Sequence, residues 1–130
     1  MKEVYDFLKE CNTFYIATID GDKPRVRPFG ALNIFEDKLY IETAKSKKVS
    51  KQIQINPNVE ICCCKNNKWL RIEGKAIRDD RIEAKQSMLD ANPVLKNLYS
   101  AEDDNTEVLY LENAKATFYE FYEEPRVIEF

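Results

Sequence analysis

Three turn signals constrain this chain more than any other feature. Asp20-Gly21-Asp22, Glu36-Asp37 and Asn66-Asn67 each separate short runs in which apolar and polar residues alternate, the pattern of half-buried strands joined as hairpins. "TFYIATID" leads into the first turn, "KPRVRPFGALNIF" and "KLYIET" flank the second, and "NVEICCCK" and "KWLRIEGKAIRD" flank the third. Between and around them lie short helical patterns. Val4, Phe7, Leu8 and Cys11 recur at helical spacing. Val49, Gln52, Ile53 and Ile55 fall to one side of a helix from Ser46 to Ile55, with Ser46 as N-cap and Asn56-Pro57 as the stop. "DRIEAKQSMLDA" and "VLKNLY" also read as helices, and "KATFYEFYEEPRVIEF" closes the chain with strand-like alternation. Strands without a regular strand-helix-strand rhythm exclude a parallel α/β sheet. The expectation is a mostly β (α+β) single domain over residues 1–130: about six antiparallel strands in a small barrel with peripheral helices.

Composition narrows the function classes. The chain has 20 basic and 23 acidic residues, a net charge of −3, so no global field recruits nucleic acid or anionic lipid. There is no histidine, and the four cysteines, Cys11 and Cys62-Cys63-Cys64, show no CxxC spacing, which disfavours structural zinc. Adjacent cysteines in a strand behave as small apolar residues and suit a reducing compartment. With no signal-like segment and no apolar run of membrane length, the expectation is a soluble cytoplasmic protein without membrane or nucleic-acid partners.

The site argument starts from "RVRPFG", Arg25 to Gly30. A hairpin turning at Glu36-Asp37 pairs Phe35 with Lys38 and, continued, sets Gly30 opposite Thr43 and Arg27 opposite Ser46. The two arginines then approach a helix start crowded by Lys45, Lys47 and Lys48. Each cation there is disfavoured by roughly 0.3–1 kcal/mol, because the helix N-terminus is already positive. Free N–H groups, the Thr43 and Ser46 hydroxyls and the surrounding cations describe a phosphate pocket. Solvated lysines and arginines paired with surface carboxylates are the plain alternative. Pro28 cannot donate to a ladder and Gly30 has no side chain, so a flat ligand can approach there, or the pair marks only a bulge. Phe29 either faces such a ring or packs in the core. In the third hairpin Cys64 pairs with Trp69 and Cys62 with Arg71. Ile61, Cys63, Leu70 and Ile72 are thereby assigned to the core, and the Trp69 face to a partner subunit or ligand, with an ordinary packed tryptophan as the equal alternative.

In order and spacing, "FYIATIDGDKPRVRPFG", "KLYIETAKSKKVSKQIQINPNVEIC" and "KWLRIEGKAI" resemble the flavin-binding split-barrel family typified by pyridoxamine 5′-phosphate oxidase and its shorter relatives, including nitroimidazole-resistance reductases. The resemblance implies a six-stranded split barrel and a homodimer with FMN at the subunit interface. It also implies that Arg25, Arg27, Ser46 and Lys47 hold the phosphate, with Lys45 or Lys51 as additions. The backbone from Arg27 through Pro28 and Phe29 to Gly30, and the segment at Thr43, would line the isoalloxazine, while Trp69 and Arg71 would come from the opposite subunit. Oxidases of vitamin B6 carry a C-terminal arginine and histidine motif; this chain ends "EEPRVIEF". The leading expectation is therefore an FMN-dependent oxidoreductase acting on a small molecule, with no catalytic side chain assigned. A flavin-binding dimer without turnover, and a small barrel binding nucleic acid through its lysines, are the competing classes.

Overall fold

The computed structural model describes residues 1–130. Eight strands form one antiparallel sheet: β1 Phe14–Asp20, β2 Lys23–Phe29, β3 Leu32–Phe35, β4 Lys38–Ala44, β5 Asn58–Lys65, β6 Lys68–Arg78, β7 Thr106–Glu120 and β8 Arg126–Glu129. Helices α1 Lys2–Cys11, α2 Lys48–Ile55 and α3 Ile82–Ala91, and a short 3-10 helix Pro93–Asn97, lie against it. The strand order is β2-β1-β5-β6-β7-β4-β3, with β8 added to β7. The sheet curls but does not close by hydrogen bonds, and its two ends, β2 and β3, are consecutive in the chain.

Two of the hairpins form in the expected register. Phe35 pairs with Lys38 and Leu32 with Ile41; Cys64 pairs with Trp69 and Cys62 with Arg71. Glu36, Asp37, Asn66 and Asn67 all have positive φ, as a two-residue hairpin turn matched to strand twist requires. Ile61, Cys63, Leu70 and Ile72 are buried in a core shared with Val4 and Leu8 of α1 and Val49 and Ile53 of α2. A smaller cluster, Tyr40, Val108, Ala84 and Met88, packs under α3.

Three expectations are corrected. The run from Lys23 to Phe35 is not one strand: β2 pairs along its whole length with β1, Phe29 with Phe14 and Lys23 with Asp20, and the chain changes partners at Gly30-Ala31. The β3–β4 ladder therefore stops at Leu32, Arg27 lies opposite Ile16 rather than Ser46, and Gly30 does not pair with Thr43. Pro28 is tolerated because β2 is an edge strand with no neighbour on its other side. Second, the strand count is eight. β7 begins at Thr106, well before the aromatic alternation, and the run breaks before Pro125 to leave β8 as a separate strand. Third, Ser46 is not the N-cap. Lys47 occupies that position without a side-chain cap, the Ser46 amide donates to Asn105 Oδ1 at 3.1 Å, and Ile55 is 87% exposed.

β7 makes the split. Along one edge it pairs with β6 from Leu109 to Glu120; along the other, Thr106–Tyr110 pairs with β4 and Lys115–Phe118 with β8. The β6–β7 register shifts between Glu73 and Lys75, at Gly74. A Cβ there would sit 3.3 Å from both Ala114 Cα and the Glu112 carbonyl oxygen, so glycine permits the close approach at the bend.

Candidate functional site

Where β2, the end of β4 and the start of α2 meet, a recess opens in two connected parts. One, of about 420 Å³, is bordered by Asp20, Arg25, Arg27, Lys47, Lys48 and Gln52. The other, of about 380 Å³, is bordered by residues 27–31, Glu42, Thr43, Lys47 and the 3-10 segment at Val94 and Leu95. Arg27, Lys47 and Val49 belong to both. Each part is in the size range of a small-ligand site.

Arg27 is the centre of the recess. Its Nη1 donates to Thr18 Oγ1 at 2.7 Å and to the Ile16 carbonyl at 3.3 Å, and its Nη2 donates to Gln52 Oε1 at 2.7 Å. Thr18 and Gln52 are themselves buried and bonded to each other at 2.6 Å. Every partner is neutral, so the half-buried guanidinium is oriented without being neutralised. Burial, and secondly the neighbouring Arg25 charge, lower its pKa from the usual arginine value, and no carboxylate is bonded to the guanidinium. Arg25 differs: its Nε lies 3.0 Å from Asp20 Oδ2, the plain surface pair that the sequence also allowed.

The recess joins most of the expected residues by a route other than strand pairing. Arg25, Arg27, Pro28, Phe29, Gly30, Thr43 and Lys47 border it. Lys51 borders an adjoining depression with Lys48 and Ile19. Lys45 is turned away: its Nζ sits 3.4 Å from both Asp80 and Asp104, while its backbone amide bonds to the Asn105 carbonyl. Ser46 is drawn to Asn105 in the same way. Phe29 packs on Phe14, ring centroids 6.1 Å apart, as part of the core rather than as a free ring face. At Gly30 a Cβ would meet only the Asn12 carbonyl, at 3.6 Å, so nothing within the chain demands glycine there.

Trp69 and Arg71 are on the outer face of β6, remote from this recess. Trp69 stacks on Tyr119 at 5.1 Å between centroids, with planes inclined by 8°, and Phe121 meets its edge. Arg71 Nη2 is 2.7 Å from Glu60 Oε2.

Sequence reasoning did not find Thr18 and Gln52 as the cradle of Arg27, nor Glu42. Glu42 alternates with buried Ile41 and Thr43 and reads as an ordinary solvent-facing strand position, yet its Oε1 is buried without a hydrogen-bond partner, as is Thr43 Oγ1. Burial raises the Glu42 carboxyl to about 7; Lys47 opposes this and Asp103 adds to it. A larger recess, of about 670 Å³, lies between α1 and the end of β7; six carboxylates border it with only Lys2, Lys68 and Arg126, each of these cations already paired with one of those carboxylates.

Comparison with known proteins identifies the family. The profile of the family described as Pyridoxamine 5′-phosphate oxidase matches residues 1–120. A NimC/NimA family protein of Clostridium acetobutylicum is 44% identical, with a TM-score of 0.97 over 100% of this chain and 92% of that one. General Stress Protein 26 of Bacillus anthracis is 21% identical, with a TM-score of 0.77 over 99% of this chain and 98% of its own. A heme binding protein of Mycobacterium smegmatis shares the fold at 15% identity and a TM-score of 0.69, over 91% of this chain and 52% of that protein. No curated protein sequence matches. The chain belongs to the pyridoxamine 5′-phosphate oxidase family, a family generally of flavin-related oxidoreductases.

Proposed function

We propose that the recess binds FMN and that the protein is an FMN-dependent oxidoreductase for a small molecule, working as a homodimer. One observation carries the reading: Arg27 is a half-buried cation held only by neutral acceptors, at the junction of a basic compartment and a less charged one of comparable size. The residues present fit the group. The basic compartment suits a phosphate, and the exposed backbone of Pro28 to Gly30 with the unpartnered Thr43 hydroxyl suits the polar edge of a flat ring.

In this reading Arg27, Lys47 and Lys48 bind the phosphate as a guanidinium fork and as point charges, Thr18 and Gln52 keep the fork aimed, and Arg25, already paired with Asp20, adds only its charge at the rim. Lys45 and Ser46 take no part. The flavin, when bound, supplies the capacity to accept and return electrons or hydride. The chain's own share is to fix the ring against β2 and to exclude water with Val94 and Leu95. Trp69 and Arg71 complete the site from the partner subunit, since neither reaches the recess of its own chain.

A haem reading has less support. The haem-binding relative shares the fold alone, and this chain has no histidine to serve as an axial imidazole. Purified protein should be yellow and should release FMN on denaturation. Colourless protein that takes up no added FMN would sink the proposal. Anaerobic mixing with NADH and NADPH then separates turnover from simple carriage of the flavin: bleaching supports an enzyme, and inertness supports a binding module.

A further inference from the structure

Glu42 places an ionisable carboxyl inside the compartment that the basic residues prepare for an anion. It borders that compartment together with Arg27 and Lys47, and its buried Oε1 meets no donor. The charged and titratable groups facing it are Lys47 from the turn before α2, Asp103 and Tyr99 from the segment before β7, and Arg27 across the recess on β2. Asp103 is a fixed negative charge, since it accepts from the Ser100, Asn105 and Thr106 amides. Lys45 is held by Asp80 and Asp104, and Glu107 by Arg78. Lys47 is therefore the cation that chiefly stabilises a Glu42 carboxylate, and it is also a residue an incoming anion would claim.

We propose that Glu42 is the proton-carrying group of this recess: when an anionic ligand lies against Arg27 and Lys47, Glu42 is held as the neutral acid, and ligand uptake draws a proton from solvent. An anion near Glu42 adds repulsion to a carboxyl already costly to ionise, and it removes the attraction of Lys47. Both effects favour the protonated form. The carboxyl stands at about 7 before any ligand arrives, so the linkage operates around neutral pH. Above that midpoint, each further pH unit weakens anion binding by up to about tenfold. The proposal rests on the reading of the recess as an anion site, of which FMN is one case.

The test reads the carboxyl directly. Carbon-13 NMR titration of the glutamate side chains in the ligand-free full chain, with Glu42→Gln identifying the resonance, should show a midpoint near 7 that rises on addition of inorganic phosphate or FMN. A midpoint in the ordinary glutamate range, or one that neither anion moves, overturns the proposal. FMN affinity measured from pH 6 to 8.5 in wild type and Glu42→Gln supplies a second readout. The phosphate of the ligand titrates alike in both, so the difference isolates Glu42. Wild type should lose up to about tenfold more affinity per unit above pH 7 than the variant; parallel curves overturn the assignment. If FMN binds neither protein while inorganic phosphate still lifts the Glu42 midpoint, the flavin reading falls and the Glu42 assignment stands.

Discussion

Arg27 and Arg25 are two residues apart and do different things, because their surroundings differ. Arg27 donates to Thr18 and Gln52, neither of which carries charge, while Arg25 already has Asp20. Arg27→Ala should weaken FMN binding by at least about 1–2 kcal/mol, the scale of a charge-assisted contact, and Lys47→Ala should do the same. Fluorescence titration of FMN decides it, and unchanged affinity in both variants would remove the site assignment.

Two carboxylates set opposite pH responses. Glu42 is raised to about 7 by burial, so between the ordinary glutamate value and neutrality the native state keeps a proton that the unfolded chain releases. Stability of the ligand-free protein should therefore fall by about 1–3 kcal/mol as pH rises through that window, and Glu42→Gln should flatten the fall. Asp79 is depressed to about 2, chiefly by hydrogen bonds from Arg81 that outweigh its burial, with Tyr40 adding a bond at 2.8 Å. Its stabilisation is present above the ordinary aspartate value and is lost as pH falls from about 4 towards 2. It amounts to about 1 kcal/mol after allowance for the half-exposed Arg81. Urea titrations at stepped pH for wild type, Glu42→Gln and Asp79→Asn read both slopes.

At the scale of elements, the bend in β7 depends on a backbone contact at Gly74. Gly74→Val would force its side chain onto Ala114 and the Glu112 carbonyl, and should cost about 1–3 kcal/mol in thermal or urea unfolding. Wild-type stability in that variant would show that the contact has slack. The same bend explains what was and was not legible in the sequence. Hairpins with local turn chemistry, at Glu36-Asp37 and Asn66-Asn67, could be placed to the residue, because the turn and the alternation on both sides agree. The partner change at Gly30-Ala31 could not, because alternation within a strand says nothing about which neighbour accepts its hydrogen bonds. The convergence of "RVRPFG" with the α2 start was right in space for a reason other than the one argued: the chain crosses from one end of the sheet to the other, so β2 approaches α2 without pairing to β4. Lys45 and Ser46 lie outside the lining of the recess, the Lys45 side chain beside Asp104 and the Ser46 amide bonded to Asn105, about sixty residues later, and a local pattern carries no signal of such a contact. Glu42 is not legible because a strand position that alternates with buried neighbours normally faces water; here Tyr99 and Asp103, from the segment before β7, lie close to it.

For the whole molecule, the proposed dimer makes a prediction that a monomeric site does not. If Trp69 and Arg71 serve the partner's recess, each site draws on two chains. Arg27→Ala and Trp69→Ala should each lose flavin as homodimers. Mixing them through a dissociation and reassembly step should restore one intact site per heterodimer, detected as recovered bound FMN. Absence of recovery, with mass measurements showing that heterodimers form, would show that Trp69 does not serve the partner's recess.

The recess lies between the two ends of an open sheet, and this has a consequence for folding. β2 and β3 are joined by the two residues Gly30 and Ala31, yet in hydrogen-bond order they are separated by β1, β5, β6, β7 and β4. Each belongs to its own local hairpin, and the hairpins are brought to their final separation only when β5, β6 and β7 have closed the path between them. The pocket is thus among the last things the chain completes, and among the first it loses on global opening. A ligand held there stabilises the entire sheet by mass action rather than one corner of it. Amides in the middle of β5 and β6, which touch no part of the recess, should slow their hydrogen exchange on ligand binding by the same factor as those of β2.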